Sequence, residues 1–253
     1  KSALLLNTTG TENVAVGALA GDAITTGDFN TAIGYIALSA ATTADGNTAV
    51  GREALRDTTT GASNTAVGKE ALKLNTTAAN NTAVGYHALN LNTTGTGNVA
   101  VGTTALDANT TGDYTVAVGR NALTAQTTGG NNTAIGDSAL AANTTASNNT
   151  AVGYGALIAN ITGAGNVAIG ALALDTSTAI SNTIAIGKGS LTANTTGVSN
   201  TAVGHEALGA NTSGGENVAM GYGALDANTT ASNNTGVGYL ALSANTTGAG
   251  NTA

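Results

Sequence analysis

Cysteine, proline and tryptophan are absent from this chain, and Phe29 and Met220 are the only residues of their kinds. Without cysteine no disulfide can form, a condition compatible with either the cytosol or the cell exterior. Without proline no backbone donor is missing from any hydrogen-bonded ladder. Aromatics make up 3% of the 253 residues, too few to fill the core of a compact globule of this length. Charged residues are 8%, against roughly 25% in ordinary soluble domains. Seven Lys and Arg stand against fourteen Asp and Glu, for a net charge of −7. That balance argues against a nucleic-acid partner, because neutralising phosphates requires clustered cations. No apolar run approaches the roughly 20 residues that span a bilayer, so no membrane insertion is expected of this segment. The dipeptide Asn-Gly is also missing although both residues abound. The most deamidation-prone pairing is thereby avoided, which favours a long-lived extracellular part.

What the sequence does have is a ladder of glycines that returns every seventeen residues. It comprises Gly17, Gly34, Gly51, Gly68, Gly85, Gly102, Gly119, Gly136, Gly153, Gly170, Gly187, Gly204, Gly221 and Gly238. About fifteen copies of one unit account for the whole chain. A short repeat of fixed period makes each unit stack on the last, so the expectation is a rod and not a globule with one cleft. Both termini interrupt the repeat in mid-phase, which leads to the expectation of a single repeat domain over 1–253, uncapped and part of a longer fibre.

Each unit can be read in columns, counting from its ladder glycine as position zero. Position −3 is always β-branched (Thr31, Thr48 and Thr65, but Val14, Val99 and Ile184), and −1 is Val or Ile with Met220 the sole exception. Position −2 is Ala, broken only by Gly236. Three such residues closed by glycine predict a short strand. Beyond the glycine, Leu at +4 (Leu38, Leu55, Leu72, Leu89), a varied residue at +5 and mostly Ala or Leu at +6 alternate with period two. That pattern predicts a second strand, apolar inward and polar outward. An Asn-Thr-Thr-Gly stretch then bends the chain back. The expected fold is all-β, a parallel β-solenoid of 17-residue rungs. A helical solenoid is disfavoured by the Thr, Asn and Gly content.

The first strand is apolar on both sides, whichever way it faces. If the Val/Ile column points inward, an Ala stripe points out; if the Ala column points inward, a Val/Ile/Thr stripe does. A strand dry on both faces is one that expects cover on both, and a long exposed stripe exceeds what soluble monomers usually tolerate. Self-association along this strand, around a symmetry axis, is the favoured reading. A mild Ala–Thr stripe that simply stays wet is the alternative.

The strings Asn81-Thr82-Ala83-Val84-Gly85 and Asn98-Val99-Ala100-Val101-Gly102 resemble the head repeats of trimeric autotransporter adhesins of the YadA-like type. They are also similar to arrays in bacteriophage tail-fibre and related surface-fibre proteins. The resemblance covers the whole chain. It implies a left-handed parallel β-roll, a homotrimer, and an adhesive or spacer role outside the cell, on a cell or virion surface. The seventeen-residue unit is slightly longer than the usual adhesin repeat. The coiled-coil stalk, anchor barrel and chaperone domain that such proteins carry elsewhere are not seen in it.

Candidate chemistry is sparse. His87 and His205 are seven rungs apart, ~34 Å in a stacked rod, and no carboxylate pair recurs, so no enzyme and no cofactor are expected. Asp22, Asp107, Asp175 and Asp226 share position +5 without a second acidic column beside them, and no metal site is expected. Position +1 carries Tyr35, Tyr86, Tyr154, Tyr222 and Tyr239 among cations. Such a column suits a host-surface glycan or protein, by stacking and hydrogen bonding; the alternative, and the simpler reading, is that the rings only cover the turn glycine. The recurrent Asn-x-Thr triplets at Asn75, Asn92 and Asn143 are sequons in a glycosylating host, or turn formers whose amides stack in a ladder. Thr-Thr pairs at +8 and +9 suggest an ice-binding solenoid, but adjacent residues of a strand point oppositely, so position −3 would have to contribute. The functional expectation is therefore an extracellular fibre segment that gains affinity by multivalency. A self-stacking filament and an ice-binding solenoid are the alternatives.

Overall fold

The computed structural model describes residues 2–253, in two compact units, Lys1–Asn131 and Asn132–Ala253. The first holds β1 (Val14–Val16), β2 (Thr31–Ile33), β3 (Thr48–Val50), β4 (Thr65–Val67), β5 (Thr82–Val84), β6 (Val99–Val101) and β7 (Val116–Val118). The second holds β8 (Thr133–Ile135), β9 (Thr150–Val152), β10 (Val167–Ile169), β11 (Ile184–Ile186), β12 (Thr201–Val203), β13 (Val218–Met220) and β14 (Thr235–Val237). Within each unit the strands pair in chain order, parallel, with each residue opposite the one seventeen positions on, as in Ala66↔Ala83 and Ala151↔Ala168. The fold is a parallel β-solenoid of seventeen-residue turns, with no helix among the described residues.

The predicted second strand does not form. Positions +1 to +6 are a run of turns, and the leucines at +4, from Leu38 to Leu242, have φ between +49° and +53°. Position +2 is also left-handed, as at Glu53, His87 and Asn121. A chain that reverses hand at every second residue has no pleat, so period-two alternation does not describe it. Instead Ala at +3 and Leu at +4 are both fully buried from Ala37 and Leu38 to Ala224 and Leu225, while Leu91 at +6 is exposed. Holding an L-residue in this conformation costs roughly 1–2 kcal/mol. Burying its leucine side chain gives back about 1.5–3 kcal/mol, so the core side chain stabilises its own strained backbone.

The glycine at zero meets a stricter demand. Ladder glycines have φ between +126° and +140°, and a Cβ on Gly85 would lie 2.5 Å from the carbonyl oxygen of Gly102 in the next rung. Neither condition admits another residue.

The core is thin. It consists of Ala at −2, Ala at +3 (Ser190 in one rung) and Leu at +4, at or near zero exposure except in the terminal rungs. At Gly236, the one break in the −2 column, an added Cβ would stand 3.3 Å from Leu225 Cγ and 3.1 Å from the Ala241 carbonyl. The space opposite the leucine thus barely accepts a methyl group. This settles the orientation of the first strand: Ala points inward, and the β-branched columns at −3 and −1 point out.

Two columns of buried amides flank that core. Asn92 Nδ2 donates to Asn75 Oδ1 in the preceding rung at 3.0 Å and to the Gly95 carbonyl at 2.9 Å. At position −4, the Asn81 backbone N–H donates to Asn64 Oδ1 at 3.0 Å, and its Nδ2 donates to the Gly95 carbonyl at 2.9 Å. The Asn-x-Thr residues Asn75, Asn92 and Asn143 are thus ladder members with no exposed surface. The turns are joined as tightly: the Thr42 carbonyl accepts from the N–H groups of Thr25, Thr26 and Gly27 at 3.0, 3.3 and 3.4 Å, and from the Thr25 hydroxyl at 3.1 Å.

These contacts separate two kinds of glycine. Gly85→Ala is expected to cost several kcal/mol, because both conformation and contact exclude the methyl. Gly46→Ala, where φ is +66° and the nearest atom is Ser63 Oγ at 3.8 Å, should cost only about 1 kcal/mol. Urea unfolding monitored by circular dichroism distinguishes them, and equal losses would contradict the stacking account.

Candidate functional site

Turning Ala inward leaves a flat outer face two residues wide. In the first unit it reads Thr31 and Ile33, Thr48 and Val50, Thr65 and Val67, Thr82 and Val84, then Val99 with Val101 and Val116 with Val118. In the second unit the same columns run from Thr133 and Ile135 to Thr235 and Val237. Neither column contains a charged residue. Ile33, Val67, Ile135 and Met220 are 38%, 37%, 41% and 43% exposed, respectively, as single chains. In register, like side chains repeat along the face at ~4.8 Å.

Beside that face lies the tyrosine column at +1. Tyr35, Tyr86, Tyr154, Tyr222 and Tyr239 are all exposed, but several rings are already stacked. His205 and Tyr222 have centroids 5.3 Å apart with planes 8° from parallel, and Tyr222 and Tyr239 follow at 5.5 Å. Tyr86 stacks on His87 at 4.0 Å and carries Lys69 Nζ 5.3 Å from its centroid. Stacking along the column covers the faces of Tyr86 and Tyr222 and leaves ring edges and hydroxyls outward. Tyr35 and Tyr154 make no ring contact among the described residues. His87 and His205, which lie in different units, serve in these stacks.

A charged cluster was not anticipated from the columns, although four of the seven Lys and Arg fall between Arg52 and Lys73. Glu53, whose side chain is only 10% exposed, receives Arg52 at 2.8 Å, Lys73 at 3.0 Å and Arg56 at 3.2 Å. Glu70 receives Lys73 at 3.1 Å, His87 at 3.2 Å and Lys69 at 3.4 Å. Arg56 also grips Asp57 through two bonds of 2.6 and 2.7 Å. The Lys73 ammonium, with help from Arg52, holds the Glu53 carboxyl down at about 2. Glu70 is lowered for the same reason, chiefly by Lys73. Burial pushes the Asp107 carboxyl up, and one of its oxygens is buried without a partner.

The Thr pairs divide their roles. Hydroxyls at +8 donate to the carbonyl of the next rung, as Thr93 to Thr110 at 2.9 Å, whereas Thr77, Thr94 and Thr111 at +9 face water. No group of three His, Cys, Asp or Glu residues with metal-ligand geometry, and no pocket, is found among the described residues.

The cluster has a pH signature. Glu53 is depressed from 4.5 in its free state to about 2, so its contribution to stability is complete above 4.5 and is lost as pH falls toward 2. Thermal melts between pH 5 and pH 2 should show a loss of stability that Glu53→Gln flattens. An unchanged slope in the variant would assign the acid sensitivity to other groups. Against models of known protein families the chain matches none, and a comparison with curated protein sequences finds no match either.

Proposed function

We propose that this chain is a segment of an extracellular structural or adhesive fibre, in which copies associate along the outer face of the first strand, three to a fibre. The observation that carries the reading is that face: two apolar or Thr columns, free of charge, repeated on strand after strand in each unit. A second copy is the occupant that matches it, because an identical repeat presents the same spacing and the same absence of charge, so a closed symmetric contact buries like against like. An exposed apolar stripe of this extent otherwise carries a standing cost in water. The resemblance of the Asn-Thr-Ala-Val-Gly repeat to adhesin heads and phage fibres supports the number three and the location outside the cell. The role is mechanical and multivalent and involves no enzymatic step. The exposed tyrosine column beside the seam is the surface offered to a host glycan or protein, and its weak contacts multiply with the number of chains.

Native mass spectrometry of the intact chain should give a trimer. Val67→Glu with Val84→Glu, both on the outer face and away from the core, should reduce it to monomer while leaving the circular dichroism spectrum unchanged. A wild-type monomer at micromolar concentration would sink the fibre reading.

One observation favours a second reading. Thr31, Thr48, Thr65 and Thr82 stand in consecutive rungs beside Ile33, Val50, Val67 and Val84 on one flat face, so position −3 supplies the hydroxyl column that an ice-binding surface requires. If the chain is monomeric, it should produce thermal hysteresis that Thr65→Lys with Thr82→Lys abolishes; absence of hysteresis in the monomer removes this reading.

A further inference from the structure

Asparagine occupies three columns of the rung, and the structure gives them opposite chemical fates. At +7 and −4 the side chains away from the terminal rungs are buried ladder members, and most Nδ2 groups already donate, as Asn92 does at 3.0 and 2.9 Å and Asn81 at 2.9 Å. At −5 the situation reverses. Asn80, Asn131, Asn148 and Asn233 sit on a left-handed turn with φ of +62°, +56°, +62° and +61°. All four side chains are exposed. Their backbone is anchored to the preceding rung, as Asn80 N–H to the Ala62 carbonyl at 3.1 Å, while among the described residues no side-chain bond holds the amide. Two residues later each has a threonine, Thr82, Thr133, Thr150 or Thr235, on the outer face of the strand. Asn-x-Thr with a free amide and an outward hydroxyl is the arrangement an N-glycosyltransferase reads.

We infer that the folded chain accepts N-linked sugar at Asn80, Asn131, Asn148 and Asn233, and that the fully buried sequon asparagines at +7, such as Asn92 and Asn109, are closed to the same reaction. The donor class is a nucleotide-activated hexose. The amide Nδ2 attacks the anomeric carbon, a C–N bond forms, the bond from that carbon to the phosphate oxygen breaks, and nucleoside diphosphate leaves while the amide proton passes to base. The +7 amides cannot take part without first leaving the ladder, which requires a local opening of several rungs. The inference concerns the single folded chain, since Thr82, Thr133, Thr150 and Thr235 stand on the outer face that the proposed fibre covers. It does place each sugar two residues from the outer face, at the rim of any contact made there.

The test uses the intact folded chain and a soluble N-glycosyltransferase for which the denatured chain is shown to be a substrate at both columns. Peptide mass spectrometry should find hexose at the four −5 residues, with Asn92 and Asn109 modified at least roughly a hundredfold more slowly than Asn80. Thr82→Val should remove the sugar from Asn80 alone, and it is compatible with the fold because valine already stands at that position at Val99 and Val116. A folded chain that takes no sugar, or takes it at Asn92 as fast as at Asn80, would overturn the inference.

Discussion

The rest of the structure depends on how closely successive rungs approach at the ladder glycine. There the carbonyl of one rung occupies the space in which the glycine before it would carry a side chain. Glycine is therefore obligatory for contact as well as for conformation. Because the contact recurs after seventeen residues from Gly17 to Gly102 in the first unit and from Gly136 to Gly221 in the second, every other position within a unit is brought above its own equivalent. Like stacks on like, and that single fact turns isolated residues into columns.

Columns explain how so spare a composition holds together. An asparagine that would be costly to bury alone becomes satisfied when the next rung supplies an identical amide. A Thr carbonyl that accepts four donors joins rungs on a side of the coil where no strand exists. The left-handed leucines are tolerated because each fills the interior that its own turn creates. With most of the buried amides satisfied by repetition, few large side chains are needed, and the remaining variation is free to appear at the corners. That is where the charged cluster around Glu53 and the stacked rings around Tyr222 are found.

The outer face and the asparagine columns show what the same stacking means for function. Residues facing inward have their chemistry consumed by the neighbouring rung. Those facing outward are multiplied along the axis of each unit, so a weak interaction at one rung becomes a repeated one. The fibre reading and the −5 glycan acceptors both draw on this division, the first through the apolar columns and the second through amides left without a ladder partner.

Periodicity, strand position and the inward leucine were legible from the sequence, since a seventeen-residue repeat with a β-branched triplet before each glycine has few physical realisations. So was the chance that Asn75, Asn92 and Asn143 stack as amides. The turn conformation at +2 and +4 was not, because Leu-x-Leu alternation looks the same whether it lies on a pleat or on reversing turns. Nor was the direction of Ala at −2 against Val or Ile at −1, as both are apolar and only their volumes differ. In hindsight the uniform size of the Ala column, against the mixing of Thr, Val and Ile at −3, was the available signal: only a position facing a tight interior restricts volume so strictly. The sequence by itself determined that the chain repeats and where each rung begins. The tertiary structure decided which face is dry, because only the assembled cross-section shows that a leucine leaves room for one methyl opposite it and for nothing larger.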